Sequence, residues 1–285
     1  MPNIYKSPEG EQAIKNRYRQ FLKHWPVANQ HLRAPTREGE TFIIASGSEC
    51  APPVIRLHGT AFNSIMWMGD IGAWSQTFRV YAIDIIGDAG LSAPSRPSYT
   101  SDAHALWLDD VLAALGIEKA SFVGVSLGGW LALDYATRRP QRVKSVVAIA
   151  PGGLASKNVL LWALPLLLMG EWGRRKMVEK ISGPASANPS PADKAVSDFM
   201  AIVFKNMTQR NKSLPDLSDE SLKRLTMPVM AILAGQDVFV NSQSAKARLE
   251  KNVIHSRIHF LPESYHSITN QTQPVLEFLR AVHEA

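Results

Sequence analysis

The residues best suited to do chemistry lie in Gly124-Val125-Ser126-Leu127-Gly128-Gly129. An apolar, β-rich run from Ala120 to Val125 precedes the serine, and a helical pattern from Trp130 to Thr137 follows it. That change of period places Ser126 on a strand-to-helix turn. Glycines two residues before and two after it remove side chains that would collide in a sharp turn, so the hydroxyl can project above the sheet. Helix amides beginning at Leu127 then lie close to any oxyanion formed beside the serine. The chemistry implied is nucleophilic attack by Ser126. Glycine-rich strand–helix turns also serve purely structural ends, so the surrounding elements have to decide.

Those elements alternate. Thr41–Ala45, Val54–Leu57, Val80–Ile85, Ala120–Val125, Val143–Ala150, Val229–Ala234 and Arg257–Leu261 read as strands. Residues 11–25 carry a helical pattern through Ile14, Tyr18, Phe21, Leu22 and Trp25, stopped by Pro26. Further helices are predicted from a Ser101 cap to Leu115, from an Asn241 cap to about Leu249, and from Pro274 to Val282. Short apolar strands alternating with helices predict an α/β fold whose mostly parallel sheet is covered on both faces.

The rhythm changes between Leu154 and Leu217. An apolar run, Val159 to Met169, is followed by a basic segment, then the proline-rich Ser182–Pro191, then a helical pattern over Ala192–Asn206. The predicted division is therefore three-part. Residues 1–153 hold an N-terminal helix and the first part of the core, 154–217 a helical cap, and 218–285 the rest of the core. The apolar run contains Pro165 and is too short to span a bilayer. A cap helix facing an acyl-binding pocket accounts for it better than an interfacial anchor.

Composition narrows the function. The chain has 285 residues and a net charge of +6, but its basic residues are scattered. Arg138-Arg139 and Arg174-Arg175-Lys176 are the densest groups, which argues against a nucleic-acid surface. The single cysteine, Cys50, excludes an internal disulfide and sits in a turn with no base-bearing motif. Lys6 and Glu9 are followed by no apolar segment of the secretory kind. The expectation is a soluble, cytoplasmic protein without stable membrane insertion. A homodimer is compatible with the sequence.

Over roughly residues 35–285 the arrangement resembles the α/β-hydrolase superfamily. The resemblance implies an eight-stranded, mostly parallel sheet flanked by helices, with a helical cap after the sixth strand. It also implies the order Ser126 nucleophile, Asp237 acid, His266 base. Asp237 stands in Gly235-Gln236-Asp237 after the penultimate strand. His266 ends Pro262-Glu263-Ser264-Tyr265-His266 after the last strand. His255 and His259 are poorer bases by position, while Glu263 and Asp216 remain alternative acids. His58-Gly59-Thr60-Ala61 resembles the family's turn after the third strand. By that likeness the Thr60 amide joins that of Leu127 around the oxyanion. Ala61 stays open as the alternative, because a one-residue loop shift exchanges the two. His58 is expected to hold the loop rather than act as a base. Phe62, Trp67, Met200 and Phe204 are candidates for the substrate pocket, each with ordinary packing as its competing role.

Asp84-Ile85-Ile86-Gly87-Asp88-Ala89-Gly90-Leu91-Ser92 resembles the family's acidic, glycine-rich loop after the fourth strand, here lengthened. With the N-terminal helix, it looks like a group of bacterial carboxylesterases acting on aryl-propionate esters. The function implied is serine-dependent hydrolysis, through an acyl-enzyme, of small or medium esters with apolar or aryl parts. Lactone, thioester or carbon–carbon bond hydrolysis and perhydrolysis use the same groups and stay open. A ligand-binding protein without turnover is the alternative from another class. Serine at the nucleophile position disfavours the dehalogenase and epoxide-hydrolase branches, whose chemistry needs a carboxylate there. The expected partner is a small-molecule ester, with neither metal nor organic cofactor.

Overall fold

In a computed structural model, which describes residues 4–157, 163–166, 168–186, 188–208, 210 and 212–284, eight strands form one sheet. They are β1 (Asn29–Thr36), β2 (Gly39–Ser46), β3 (Pro53–Leu57), β4 (Arg79–Ile83), β5 (Ala120–Val125), β6 (Val143–Ile149), β7 (Val229–Ala234) and β8 (Ser256–Leu261). Their spatial order is β1-β2-β4-β3-β5-β6-β7-β8. The β1–β2 and β2–β4 pairs are antiparallel, and the pairs from β4–β3 to β7–β8 are parallel. The longer helices are α1 (Pro8–Leu22), α2 (Ala103–Ala114), α3 (Leu127–Arg138), α4 (Gly170–Ser182), α5 (Pro191–Asn206), α6 (Ser242–Asn252) and α7 (Thr272–Glu284).

Strand β1 has no counterpart in the sequence reading. Its residues, Asn29 to Thr36, are mostly exposed on the sheet edge, and its inward alternation is carried by Leu32, Ala34 and Thr36, too short and weakly apolar a signal to mark a strand. It forms because Gly39, at φ 99°, closes a tight return into the strongly apolar β2. The predicted Ser101 cap is also displaced. Asp102 occupies the N-cap position of α2 without a side-chain cap bond, while Ser101 Oγ, one residue earlier, donates to Ser98 O at 2.8 Å and accepts the Ala103 amide at 3.4 Å. Asn241 does cap α6, accepting the Ser244 amide at 3.1 Å.

Both faces of the sheet are covered, which is why its parallel strands read as continuous apolar runs. Ile55, Leu57, Phe122, Val146, Ala148, Ala231 and Leu233 face the side of α2, α3 and α6. Val54, Val80, Val123, Val147, Met230 and Ile232 face the side of α1, α5 and α7. Arg56 is the charged exception within β3. Its guanidinium lies 3.8 Å and 3.7 Å from the ring centres of Trp67 and Trp74, and 3.3 Å from Asp70. Burial pushes its pKa down to about 10, and Asp70 opposes that shift. The two indoles replace water as a partner for the cation.

Between β6 and β7 the chain leaves the sheet and forms α4 and α5. Most of the apolar run Val159–Met169 lies outside the described residues. Helix α5 begins with a Ser190–Asp193 capping box and buries Phe199 and Val203. It packs on α1, and Lys6 seals the junction by donating its amide to Asn206 O at 2.8 Å. Among the described residues, no helix is long and apolar enough to cross a membrane.

On the other side of the sheet, His104 of α2 stacks on Tyr99, with ring centres 5.2 Å apart. Burial, then the charges of Arg210 and Arg138, push its pKa from 6.5 down to about 4. The unfolded chain therefore binds more protons than the folded one between those values, so stability falls as pH falls through that window. Urea unfolding followed from about pH 7 to about pH 4 is expected to show a shallower loss for His104→Phe than for the parent. Equal slopes in the two proteins would exclude this group as a contributor.

Candidate active site

Ser126 sits between the end of β5 and the first residue of α3, with φ 52° and ψ −108°. A non-glycine residue in that region is strained and persists only where its surroundings enforce it. The enforcement is visible. The Ser126 amide donates to Ile149 O at 2.9 Å, and its carbonyl accepts from the Trp130 amide at 2.9 Å. A Cβ on Gly124 would stand 2.1 Å from Gly128 O, and one on Gly128 would stand 2.0 Å from Leu57 O. Both glycines are needed because backbone passes where a side chain would be.

Two loops at the same sheet edge reach the serine. Nε2 of His266 lies 3.0 Å from Ser126 Oγ, and its Nδ1 lies 2.7 Å from Asp237 Oδ2. The Asp237 side chain is 1% exposed, and its Oδ1 accepts the Phe239 and Val240 amides at 2.7 Å and 3.1 Å. With both oxygens occupied, the carboxylate has one orientation available. The Phe239 ring meets the imidazole edge-on, with centres 4.7 Å apart. The acid and histidine loops are zipped together, Gly235 donating to Leu261 O at 2.8 Å and Gln236 to Ser264 O at 2.9 Å. A Cβ on Gly235 would lie 2.2 Å from Pro262 O. The end of α4 also docks here, since Ser267 donates its amide to Ile181 O at 3.1 Å.

The loop after β3 turns back beside Ser126. The His58 carbonyl accepts the Gly128 amide at 3.1 Å, and its Nε2 accepts the Ile85 amide at 2.9 Å. His58 is fully buried, so its ring ties two loops together. Ala61, at φ 58°, donates its amide to Asp88 Oδ1 at 2.8 Å. The Ala61 amide is thereby committed. The Thr60 and Leu127 amides have no hydrogen-bond acceptor among the described residues. Asn63 Nδ2 donates to Ala89 O at 2.7 Å. Asp84 accepts from the Ser64 amide and hydroxyl, from Tyr18 Oη and from the Leu91 amide.

The structure thus brings Ser126, His266 and Asp237 into one hydrogen-bonded chain. It does not draw the pocket candidates equally close. Trp67 is 2% exposed, with its ring against Arg56. Phe62 meets Phe199 of α5 edge-on, and Met200 is half-buried. Phe204 is 53% exposed. His255 and His259 form no part of the chain, and Asp216 holds Ser156 instead. Asp88 and Lys157 escaped the sequence reading as site residues. Lys157 Nζ donates to the carbonyl of Asp237 at 2.6 Å. Asp88 could have been found by the extra length of the loop after β4. Nothing local marked Lys157. Among the described residues no cluster of three or more His, Cys, Asp or Glu is placed to hold a metal ion.

A family model for the alpha/beta hydrolase fold matches residues 52–269, and the chain belongs to that family. Two Bacillus subtilis proteins are similar over nearly its whole length. The uncharacterized carboxylesterase nap is 32% identical, covering 93% of this chain and 91% of its own. Carboxylesterase YbfK is also 32% identical, covering 92% of each. Among solved structures, the naproxen esterase (carboxylesterase NP) of Bacillus subtilis superposes with a TM-score of 0.81 at 30% identity, covering 98% of this chain and 99% of its own. The protein is an esterase-like hydrolase of the carboxylesterase type.

The elbow geometry makes a direct prediction. Gly128→Ala forces a Cβ into the Leu57 carbonyl and is expected to destabilise by roughly 3 kcal/mol or more, or to prevent folding. Gly69→Ala, where a Cβ meets nothing within 4 Å, serves as the control. Denaturant melts of the two variants beside the parent check the contrast.

Proposed function

We propose that the protein is a serine carboxylester hydrolase working through Ser126, His266 and Asp237. The observation that carries the reading is the unbroken contact chain, 3.0 Å from Ser126 Oγ to His266 Nε2 and 2.7 Å from His266 Nδ1 to Asp237. A serine hydroxyl is a weak nucleophile at neutral pH. His266 takes its proton as Oγ attacks the ester carbonyl carbon. Asp237, held by two backbone amides, keeps Nδ1 protonated and stabilises the imidazolium that forms. The tetrahedral oxyanion is received by the Leu127 and Thr60 amides. Thr60 is preferred to Ala61 because the Ala61 amide is already spent on Asp88.

The intermediate collapses as His266 protonates the departing alkoxide, leaving the acyl group on Ser126. Water then enters, gives a proton to His266 and attacks the acyl carbon. The second tetrahedral intermediate returns Ser126 and releases the acid. We read residues 154–217 as the cap over this edge, since α4 docks on the histidine loop and α5 on α1. Phe62 and Met200 are assigned to the acyl or aryl side of the chamber. Small or medium esters with an apolar or aryl part suit such walls. The likeness to naproxen esterase and YbfK supports the same choice. A small-molecule ester is the proposed partner.

An activated aryl ester or a fluorophosphonate is expected to label Ser126, located by peptide mass spectrometry. Ser126→Ala is expected to lower kcat by about four orders of magnitude or more with the fold retained. Turnover is best measured over a panel of aryl esters, aliphatic esters, lactones and thioesters. A folded protein that neither labels at Ser126 nor turns over any member refutes the proposal.

A further inference from the structure

We infer that Asp88 is a positioning residue for catalysis, holding the Ala61 amide so that the Thr60 amide is left aimed at the oxyanion. The inference rests on the proposed roles of Ser126 and Thr60. Its evidence is separate, and lies in how the loop after β3 is held.

Four side chains stitch that loop to the one after β4: His58 at Ile85, Asp84 at Ser64, Asn63 at Ala89, and Asp88 at Ala61. Asp84 and Asn63 act beyond the turn. His58 Nδ1 donates to Gly59 O at 2.8 Å, before Thr60, and Asp88 alone grips the residue that follows it. Successive amides in a tight turn have coupled directions, so the acceptor chosen for one sets the aim of the other. Ala61 lies at φ 58°, a conformation costly for a residue with a side chain. The 2.8 Å bond to Asp88 Oδ1 compensates that strain. Without it, Ala61 can relax toward negative φ, and its amide then competes with that of Thr60 for the same region.

The carboxylate is built in rather than incidental. Asp88 is 7% exposed and borders a small cavity shared with Thr60, Leu127, Tyr99, Arg96 and Arg210. Arg96 donates to Gly87 O at 2.8 Å and to Thr208 O at 2.8 Å. Arg210 lies 3.6 Å over the Tyr99 ring and donates to Pro97 O. Burial pushes the Asp88 carboxyl up, while the Ala61 amide and the two guanidiniums act in the opposite direction. An acidic side chain thus stands at a buried position where, among the described residues, its hydrogen-bonded partner is the turn beside Ser126.

Asp88→Ala is expected to lower kcat about 10- to 100-fold with KM within about two-fold, as for a misaimed oxyanion donor. Affinity for an aryl trifluoromethyl ketone, which forms a tetrahedral adduct, should fall by the same factor. Asp88→Asn keeps an Oδ acceptor and should recover kcat to within about three-fold of the parent. Asp88→Leu fills the volume without an acceptor and should behave like Asp88→Ala, which keeps the test open if the alanine variant does not fold. Turnover of folded Asp88→Ala or Asp88→Leu within about two-fold of the parent overturns the inference, as does a loss carried by KM. Fluorophosphonate labelling of Ser126 in the parent separates the two levels. Labelling with unaffected Asp88 variants sinks this inference alone, whereas an unlabelled parent sinks the reading beneath it.

Discussion

The structure depends on the close approach of α3 to the ends of β3 and β5. Gly128 passes the Leu57 carbonyl at a distance no side chain tolerates, and Gly124 passes Gly128 in the same way. That contact forces Ser126 into a left-handed turn and stands its hydroxyl clear of the sheet. It also brings the Leu127 amide beside the loop after β3, because the Gly128 amide is bonded to His58 O. The Ser126 hydroxyl and the Leu127 amide are thus placed by one packing event. The strain at Ser126 is sustained by α3, whose buried face from Leu127 to Thr137 belongs to the central core.

Around this fixed point each partner group is held by backbone. Asp237 is oriented by two amides of its own turn, and its loop is bonded to the histidine loop along β7 and β8. The loops after β3 and β4 are joined by buried carboxylates and His58. A buried acceptor left without a donor is costly, so these ties resist rearrangement. Preorganisation of this kind is what the proposed serine mechanism requires, since a weak nucleophile gains most where its surroundings need not reorganise at the moment of reaction. The region between β6 and β7 joins the core through α5, whose Phe199 and Val203 are fully buried, and reaches the histidine loop through the bond from the Ser267 amide to Ile181 O.

Much of this was legible in the chain. Apolar runs revealed seven of the strands, because strands buried on both faces need apolar residues on both faces. Gly124, Ser126 and Gly128 were visible because a turn this tight permits few residue types. Asp237 and His266 were found by their places after the last two strands, through likeness to a known family. Strand β1 was invisible because an edge strand buries one face only, and here that face holds just Leu32 and Ala34, so most of what fixes it is backbone bonding to β2. Trp67 was read as a candidate wall, but its commitment to Arg56 depends on a contact between a strand and a short helical turn.

By itself, then, the sequence determined the layered α/β architecture and which residue is the nucleophile candidate, since period and turn chemistry are local properties. Tertiary structure decided the distances: His266 rather than His255 or His259 meets Ser126, and Asp237 rather than Asp216 meets His266. It also decided between Thr60 and Ala61 as the free amide. That choice turns on Asp88, which lies 27 residues further along the chain. A hydrogen bond between two loops leaves no periodic trace in sequence, because its geometry exists only once the sheet has brought both loops to one edge.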